Sequence, residues 1–240
     1  MPFAPREFAG LKLDRPLIMG IVNVTPDSFS DGGAYFDAER AIKHGKSLVA
    51  AGADILDIGG ESTRPGADPV ETEEEKRRVL PVIEGLRAAG VPLSCDTSNP
   101  EIMEAALAAG ASIVNDVRAL RRGGIGIVAA RGASVILGHM LGEPATMNLE
   151  PIIVMFDLAV QPEGALAGLG CTICVGASRK FSPKDAPDEM KLAGSLVAAV
   201  IAVRNGARIL RVHDVAEHKT ALDLLPDLYA GAKQATAPHA

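Results

Sequence analysis

The sequence predicts an α/β fold of the TIM, or (β/α)8-barrel, type, on three observations. Short apolar, β-branched runs alternate with longer amphipathic stretches, glycine recurs just before several of those runs, and polar residues stand at or just past their C-terminal ends. Strands too apolar to face water on either side call for a parallel sheet covered by helices. The third observation favours a closed barrel over an open, doubly wound sheet. Asn23, Glu61, Asp96, Asn115, His139, Lys180 and His213 each follow a separate predicted strand. A barrel gathers such positions on one face, whereas an open sheet spreads them along an edge.

The elements follow in order. Phe8 to Leu13 alternates loosely enough for a short antiparallel strand or hairpin. Ile18 to Gly33 opens as a buried strand and turns polar and glycine-rich at Asn23. A polar loop of that length at a strand end is more often functional than connective, although a solvated turn has the same composition. Asp37 can cap a helix with Ala41, Ile42, Leu48 and Val49 on its buried face, and Gly52 ends it. A strand over 54–58 comes next. Thr72 and Glu75 have capping-box spacing, and Val79, Leu80, Ile83 and Leu86 form an apolar face up to Gly90. After a strand at 91–95, Ser98 or Asn99 can cap a helix with Pro100 in its first turn. Gly110 then precedes a strand at 112–114, Gly132 a run at 133–137, and Gly206 a run at 208–212. One barrel domain is expected over residues 1–230, followed by a flexible tail at 231–240.

Composition narrows the function. With 240 residues, 48% hydrophobic and 22% charged, the chain can bury a large core. The formal charge of −6 disfavours a nucleic-acid or anionic-membrane surface, so a bound anion must meet a local positive cluster. The N-terminus lacks a signal-like apolar run and no stretch is long enough to span a bilayer, so a cytoplasmic protein is expected. Three cysteines fit a reducing compartment; Cys171 and Cys174 form C-x-x-C, but in an apolar strand-like run without a second ligand pair.

Taken singly, the polar residues leave alternatives open. Asp96 suits a helix cap as well as a site, Asn115 suits loop backbone groups as well as a ligand, and His139 suits a structural role. The segment Glu61 to Gly66 reads as a turn, yet its Arg64 flanked by hydroxyl residues suits an anion. Arg211 and His213 alternate on the last strand and point to one face, and a buried Arg there needs an anionic partner. Together, Arg64, Lys180, Arg211 and His213 suit phosphate or pyrophosphate, while Asp96 and Asn115 suit a heterocycle with adjacent donors and acceptors.

Seven segments, in order, carry a resemblance. They are M-G-I-V-N-V-T-P-D-S-F-S-D-G-G at 19–33, D-I-G-G-E-S-T-R-P-G-A at 57–67, C-D-T at 95–97, I-V-N-D-V at 113–117, G-H-M-L-G at 138–142, V-G-A-S-R-K at 175–180 and R-V-H-D-V at 211–215. With them the chain resembles the dihydropteroate synthases of the pterin-binding family. The resemblance implies a barrel, usually homodimeric, that joins 6-hydroxymethyl-7,8-dihydropterin pyrophosphate to p-aminobenzoate with Mg²⁺, giving dihydropteroate and pyrophosphate in folate biosynthesis.

Position by position, it implies pterin contacts from Asp96, Asn115, Met140 and Lys180. Asn23 would hold Mg²⁺ and the pyrophosphate, with Thr63, Arg64, Arg211 and His213 completing the anion site. Lys180, Arg211 and His213 would be the catalytic cations. Asp27, Phe29, Pro65 and Ser182 would border the aminobenzoate pocket in loops that close over the site.

The chain departs from the family's pattern in the middle. The family's Asp-Pro-Gly-x-Gly-Phe-x-Lys segment at the sixth strand is missing, and only 41 positions separate His139 from Lys180, too few for two βαβ units of about 30 residues each. A unit around 149–170 is shortened or missing; Ile152 to Phe156 either forms a residual sixth strand that places Asp157 where the absent Asp should be, or is the core face of the preceding helix. Phe181 also stands after S-R-K where many members have Ser. Three readings follow: an active synthase, a catalytically impaired paralogue acting as a binding or partner protein, and a corrinoid-type pterin methyltransferase. The pyrophosphate-site residues disfavour the last.

Overall fold

Side-chain parity along the strands explains the architecture. The computed structural model describes residues 6–24, 34–61, 70–138, 171–179 and 185–235. Two short antiparallel strands, β1 (Glu7–Phe8) and β2 (Leu11–Lys12), form the expected hairpin. Then come β3 (Leu17–Asn23), α1 (Ala34–Ala50), β4 (Ile55–Gly59), α2 (Thr72–Leu86), β5 (Leu93–Asp96), α3 (Pro100–Ala109), β6 (Ile113–Asp116), α4 (Ile125–Arg131) and β7 (Ser134–Leu137). The chain continues through β8 (Cys174–Val175), α5 (Asp188–Arg204), β9 (Ile209–Val212) and α6 (Val215–Ala235).

Seven of these strands form one parallel sheet in the order β7-β6-β5-β4-β3-β9-β8. Parallel βα units stepping one way from β3, with the last two strands on its other side, make a nearly closed barrel. Among the described residues the sheet is open between β7 and β8, and the strand expected there falls in 149–170, outside those residues. β7 is half-exposed where β4, β5 and β6 are buried throughout.

Each strand divides its residues between two cores, as a period of two demands. Ile18, Val22, Leu56, Ile58, Leu93, Cys95 and Leu210 point outward and pack with helix residues such as Ala41, Leu48, Val79, Ile83 and Leu86. Leu17, Met19, Ile55, Ile113 and Ile209 point inward, where Phe8, Leu11 and Leu13 of the hairpin and the segment after it close the barrel floor. Gly20 faces outward, where a Cβ would lie 3.1 Å from Leu48 and 3.2 Å from Val215.

Several sequence expectations need correction. Asp37 lies inside α1, which starts at Ala34, so it is not the cap of that helix. The capping box does not form: Glu71 is the N-cap of α2 without a side-chain bond, Thr72 accepts from Asn99, and Glu75 turns into the core. Asp54 stays outside β4 because its carboxylate accepts from the Ile18 N–H and pairs with Arg15. The last helix, α6, runs on to Ala235, five positions past 230, and residues 236–240 of the expected tail lie outside the described residues. Of the two candidate caps for α3, Asn99 is used, accepting from Glu101 N–H at 3.0 Å, and Gly110 at φ 124° ends that helix. Among the described residues no helix is long and apolar enough to cross a membrane.

Candidate active site

The inward parity that buries Ile55, Ile113 and Ile209 on the floor carries Asp57, Asn115 and Arg211 into the next layer toward the C-terminal mouth. Asp96 ends β5 on the same inward side, beside Gly59. These four side chains form one network. Arg211 donates through Nε to Asp57 at 2.5 Å and through Nη2 to Asp96 at 2.5 Å, and Asn115 donates through Nδ2 to Asp57 at 3.0 Å. Asp57 is 0% exposed, and its Oδ1 has no partner among the described residues.

The geometry decides the readings that sequence left open. Asp96 caps no helix; Asn99 has that task, and Asp96 pairs with Arg211. Asn115 serves a carboxylate and not the loop backbone. Arg211 has its anionic partners within the protein, so cations and carboxylates interleave in one layer and do not occupy opposite walls. A ligand anion would compete with two carboxylates for this guanidinium.

The electrostatics follow from burial. Desolvation pushes the Asp96 carboxyl up to about 7; Arg211 opposes the shift, while Asp57, Glu75 and Asp116 add to it. For Arg211, burial favours the neutral form, but Asp57 and Asp96 more than offset this and raise its pKa. One guanidinium between two carboxylates leaves a surplus negative charge in the layer whenever Asp96 is ionised. Cys174 points inward nearby, its thiol pushed by burial up to about 12, so this cysteine is no thiolate nucleophile at neutral pH. The three cysteines form no disulfide.

A second set of contacts fixes the rim. His213, just past β9, donates its backbone N–H to Ser178 Oγ at 3.3 Å, and its Nδ1 lies 3.1 Å from the same oxygen. Arg179, at φ 59°, forks onto Asp214 at 2.5 and 3.1 Å and donates its N–H to Ser195 Oγ at 2.6 Å. The turn leading to Lys180 is thereby tied to α5 and to the start of α6. Asn23 ends β3, half-buried and in register with Gly59. An amide oxygen is a hard donor, and Mg²⁺ commonly takes one or two protein oxygens together with substrate phosphates and water, so Asn23 fits such an ion. Among the described residues no cluster of three His, Cys, Asp or Glu side chains could cage a metal by itself.

Asp27, Phe29, Thr63, Arg64, Pro65, His139, Met140, Asp157, Lys180 and Ser182 lie outside the described residues. Sequence reasoning missed Asp57, Ser178 and Glu75. Asp57 left a legible signal: a carboxylate in the middle of the apolar run I-L-D-I has to be paired.

Comparison with known proteins identifies the family. The family model described as pterin binding enzyme matches residues 19–161. The dihydropteroate synthase of Neisseria meningitidis serogroup B is 40% identical over 254 aligned positions, covering 85% of this chain and 89% of that protein. The chain belongs to the dihydropteroate synthase family. The Escherichia coli K12 member is 38% identical, with 86% of this chain and 89% of that protein covered. A Xanthomonas albilineans dihydropteroate synthase solved with 4-aminobenzoic acid superposes with a TM-score of 0.80 at 42% identity, over 94% of this chain and 99% of that one. The same organism's dihydropteroate synthase in complex with 7,8-dihydropteroate gives 0.75 at 39% identity, over 92% and 96%. The Neisseria alignment is longer than this 240-residue chain, so it contains positions the chain leaves unfilled.

Proposed function

We propose that the chain is a transferase that condenses 6-hydroxymethyl-7,8-dihydropterin pyrophosphate with p-aminobenzoate, releasing dihydropteroate and pyrophosphate in folate biosynthesis. The observation that carries this reading is the buried layer in which Arg211 bridges Asp57 and Asp96 with Asn115 alongside. Asp96 and Asn115 offer an acceptor and an amide to the polar edges of a pterin, with Met140 and Lys180 assigned to its ring by family resemblance.

The reaction is a substitution at the pterin's methylene carbon: the carbon–oxygen bond to pyrophosphate breaks, the arylamine nitrogen bonds to that carbon, and its proton leaves to solvent. Electron-rich dihydropterin carries the positive charge that develops as the leaving group departs, so no protein nucleophile is required. Ionised Asp96, with Asp57 behind it, supplies negative potential under that charge. Thr63, Arg64 and His213 are assigned to the leaving pyrophosphate, and Arg211 joins them once ligand draws it from its carboxylates. Mg²⁺, held by Asn23, would neutralise charge on the departing pyrophosphate. Loops bearing Asp27, Phe29 and Pro65, with Ser182, would enclose the aminobenzoate and exclude water from the reactive carbon.

The protein is expected to act in the cytoplasm as a homodimer. Support for the dimer comes from Met190, Val197 and Ile201, which are 54%, 61% and 39% exposed along α5, an apolar stripe at helical spacing.

Turnover of the pterin pyrophosphate with p-aminobenzoate, followed by pyrophosphate release, tests the activity. Calorimetric titration with the pterin pyrophosphate and with pyrophosphate alone accompanies it. Absence of both turnover and binding overturns the reading. The short span between His139 and Lys180, without the family's sixth-strand segment, favours one second reading, a paralogue that binds without turnover, and binding in the absence of product formation would select it.

A further inference from the structure

Behind the ligand-facing layer lies a carboxyl that the reaction does not touch. Glu75, in the first turn of α2, is 2% exposed. Its carboxyl lies beside the side chain of Thr97, the residue immediately after Asp96. Thr97 Oγ1 accepts from Asn99 N–H at 3.2 Å, and Thr97 N–H donates to the Asn115 carbonyl at 3.0 Å. One hydroxyl therefore sits between Glu75, the cap of α3 and the ends of the two strands that carry Asp96 and Asn115.

The same helix grips β4. A Cβ on Gly60 would lie 2.8 Å from Val79 and 3.1 Å from Glu75 Cγ, and Arg78 donates to the Gly60 carbonyl at 2.9 Å. Glu75 Oε1 is buried with no hydrogen-bond partner among the described residues, so the ionised form is costly. The charged and titratable groups around the carboxyl are Arg78 on its own helix, Glu61 after β4, Cys95 and Asp96 on β5, and Arg118 after β6. Those around Asp96 are Arg211, Asp57, Glu75 and Asp116.

We infer that Glu75 is a positioning residue for the ligand-facing carboxylate of Asp96, acting through the Thr97 hydroxyl and through its own charge. The inference rests on the functional reading above for the identity of the ligand, but not for the coupling between the two carboxyls. Burial holds the Glu75 carboxyl up near 7, so its proton is gained or lost where Asp96 titrates. Ionised Glu75 makes ionisation of Asp96 harder, and protonated Glu75 relieves that repulsion.

Four proteins test this: the wild type, Glu75→Gln, Glu75→Ala and Thr97→Val, each checked for cooperative unfolding. Titration of the Asp96 carboxyl by carbon-13 NMR is the primary readout. Glu75→Gln keeps the shape and a polar side chain beside Thr97 while removing the charge, and should move the Asp96 midpoint down by about half a pH unit or more. Steady-state kinetics should show the same displacement in the acid limb of kcat/KM for the pterin pyrophosphate. In Glu75→Ala and Thr97→Val the KM for that substrate should rise about fivefold with kcat changed far less, and Glu75→Gln should restore it at pH 8. An unmoved Asp96 midpoint in Glu75→Gln, or a folded Glu75→Ala with wild-type KM, overturns the inference. A wild type without turnover overturns only the functional reading, because the Asp96 titration still decides on Glu75.

Discussion

Arg211 Nε lies 2.5 Å from Asp57 Oδ2, joining β9 to β4 across the intervening β3 and across 154 positions of sequence. The Asp57 carboxylate is sealed from solvent, while the Arg211 side chain keeps 22% of its surface exposed. The pair thus has a dry, structural end and a wet end that a ligand can reach.

Removing one partner of such a pair strands the other. Arg211→Ala leaves Asp57 buried with only Asn115 as donor among the described contacts, and is expected to cost about 3 kcal/mol of stability together with most of the activity. Urea denaturation of Arg211→Ala and of the double variant Asp57→Asn, Arg211→Ala checks the origin. If an orphaned charge is the cause, the double variant recovers stability relative to the single one.

Asn115→Leu removes the amide that holds Asp57 from the other side. A loss of about 1–2 kcal/mol is expected from the buried hydrogen bond, with weaker pterin binding. Chemical denaturation and calorimetric binding of the pterin pyrophosphate measure the two effects separately. Equal affinity in the variant would remove Asn115 from the ligand site.

Stability should fall as pH rises through the range where Glu75 ionises. Its pKa is raised from 4.5 unfolded to about 7 folded, so between those values the native state holds the extra proton, and the penalty is complete above about 7. Glu75→Gln removes this contribution. Relative to the wild type it should gain stability between pH 4.5 and 8, by at most about 3 kcal/mol. Asp96 shifts in the same direction, and because its midpoint falls when Glu75 is replaced, the gain in Glu75→Gln includes the relief of Asp96 as well as the loss of the Glu75 penalty. Parallel pH–stability curves would contradict the expectation.

Asp116 closes the loop after β6 by accepting from Ser98 Oγ, Arg118 N–H at 2.8 Å and Leu120 N–H at 2.7 Å. Those bonds hold Ala119 and Leu120 at φ 54° and 58°, a conformation that side chains resist. Asp116→Ala should cost about 2–3 kcal/mol, and Leu120→Gly in that background should recover part of it by relieving the backbone. Thermal unfolding of the single and double variants reads both numbers.

The barrel was legible in the sequence because its cause is local. Apolar strands of period two, amphipathic helices and glycine before the strands are written within a few residues of where they act, and they led to the parallel order and to the inward placement of Asp96, Asn115 and Arg211. Family resemblance added the substrate class, which no hydrophobic pattern encodes. Partnership was another matter. Glu75 has the spacing of a capping box, yet burial against Thr97 outcompetes the helix end; Arg211 reads as a cation awaiting a ligand, yet Asp57 and Asp96 already hold it. Hydrogen bonds between residues 58, 115 or 154 positions apart depend on which strands become neighbours and which faces turn inward, and chain closure settles that only once the whole sheet has formed.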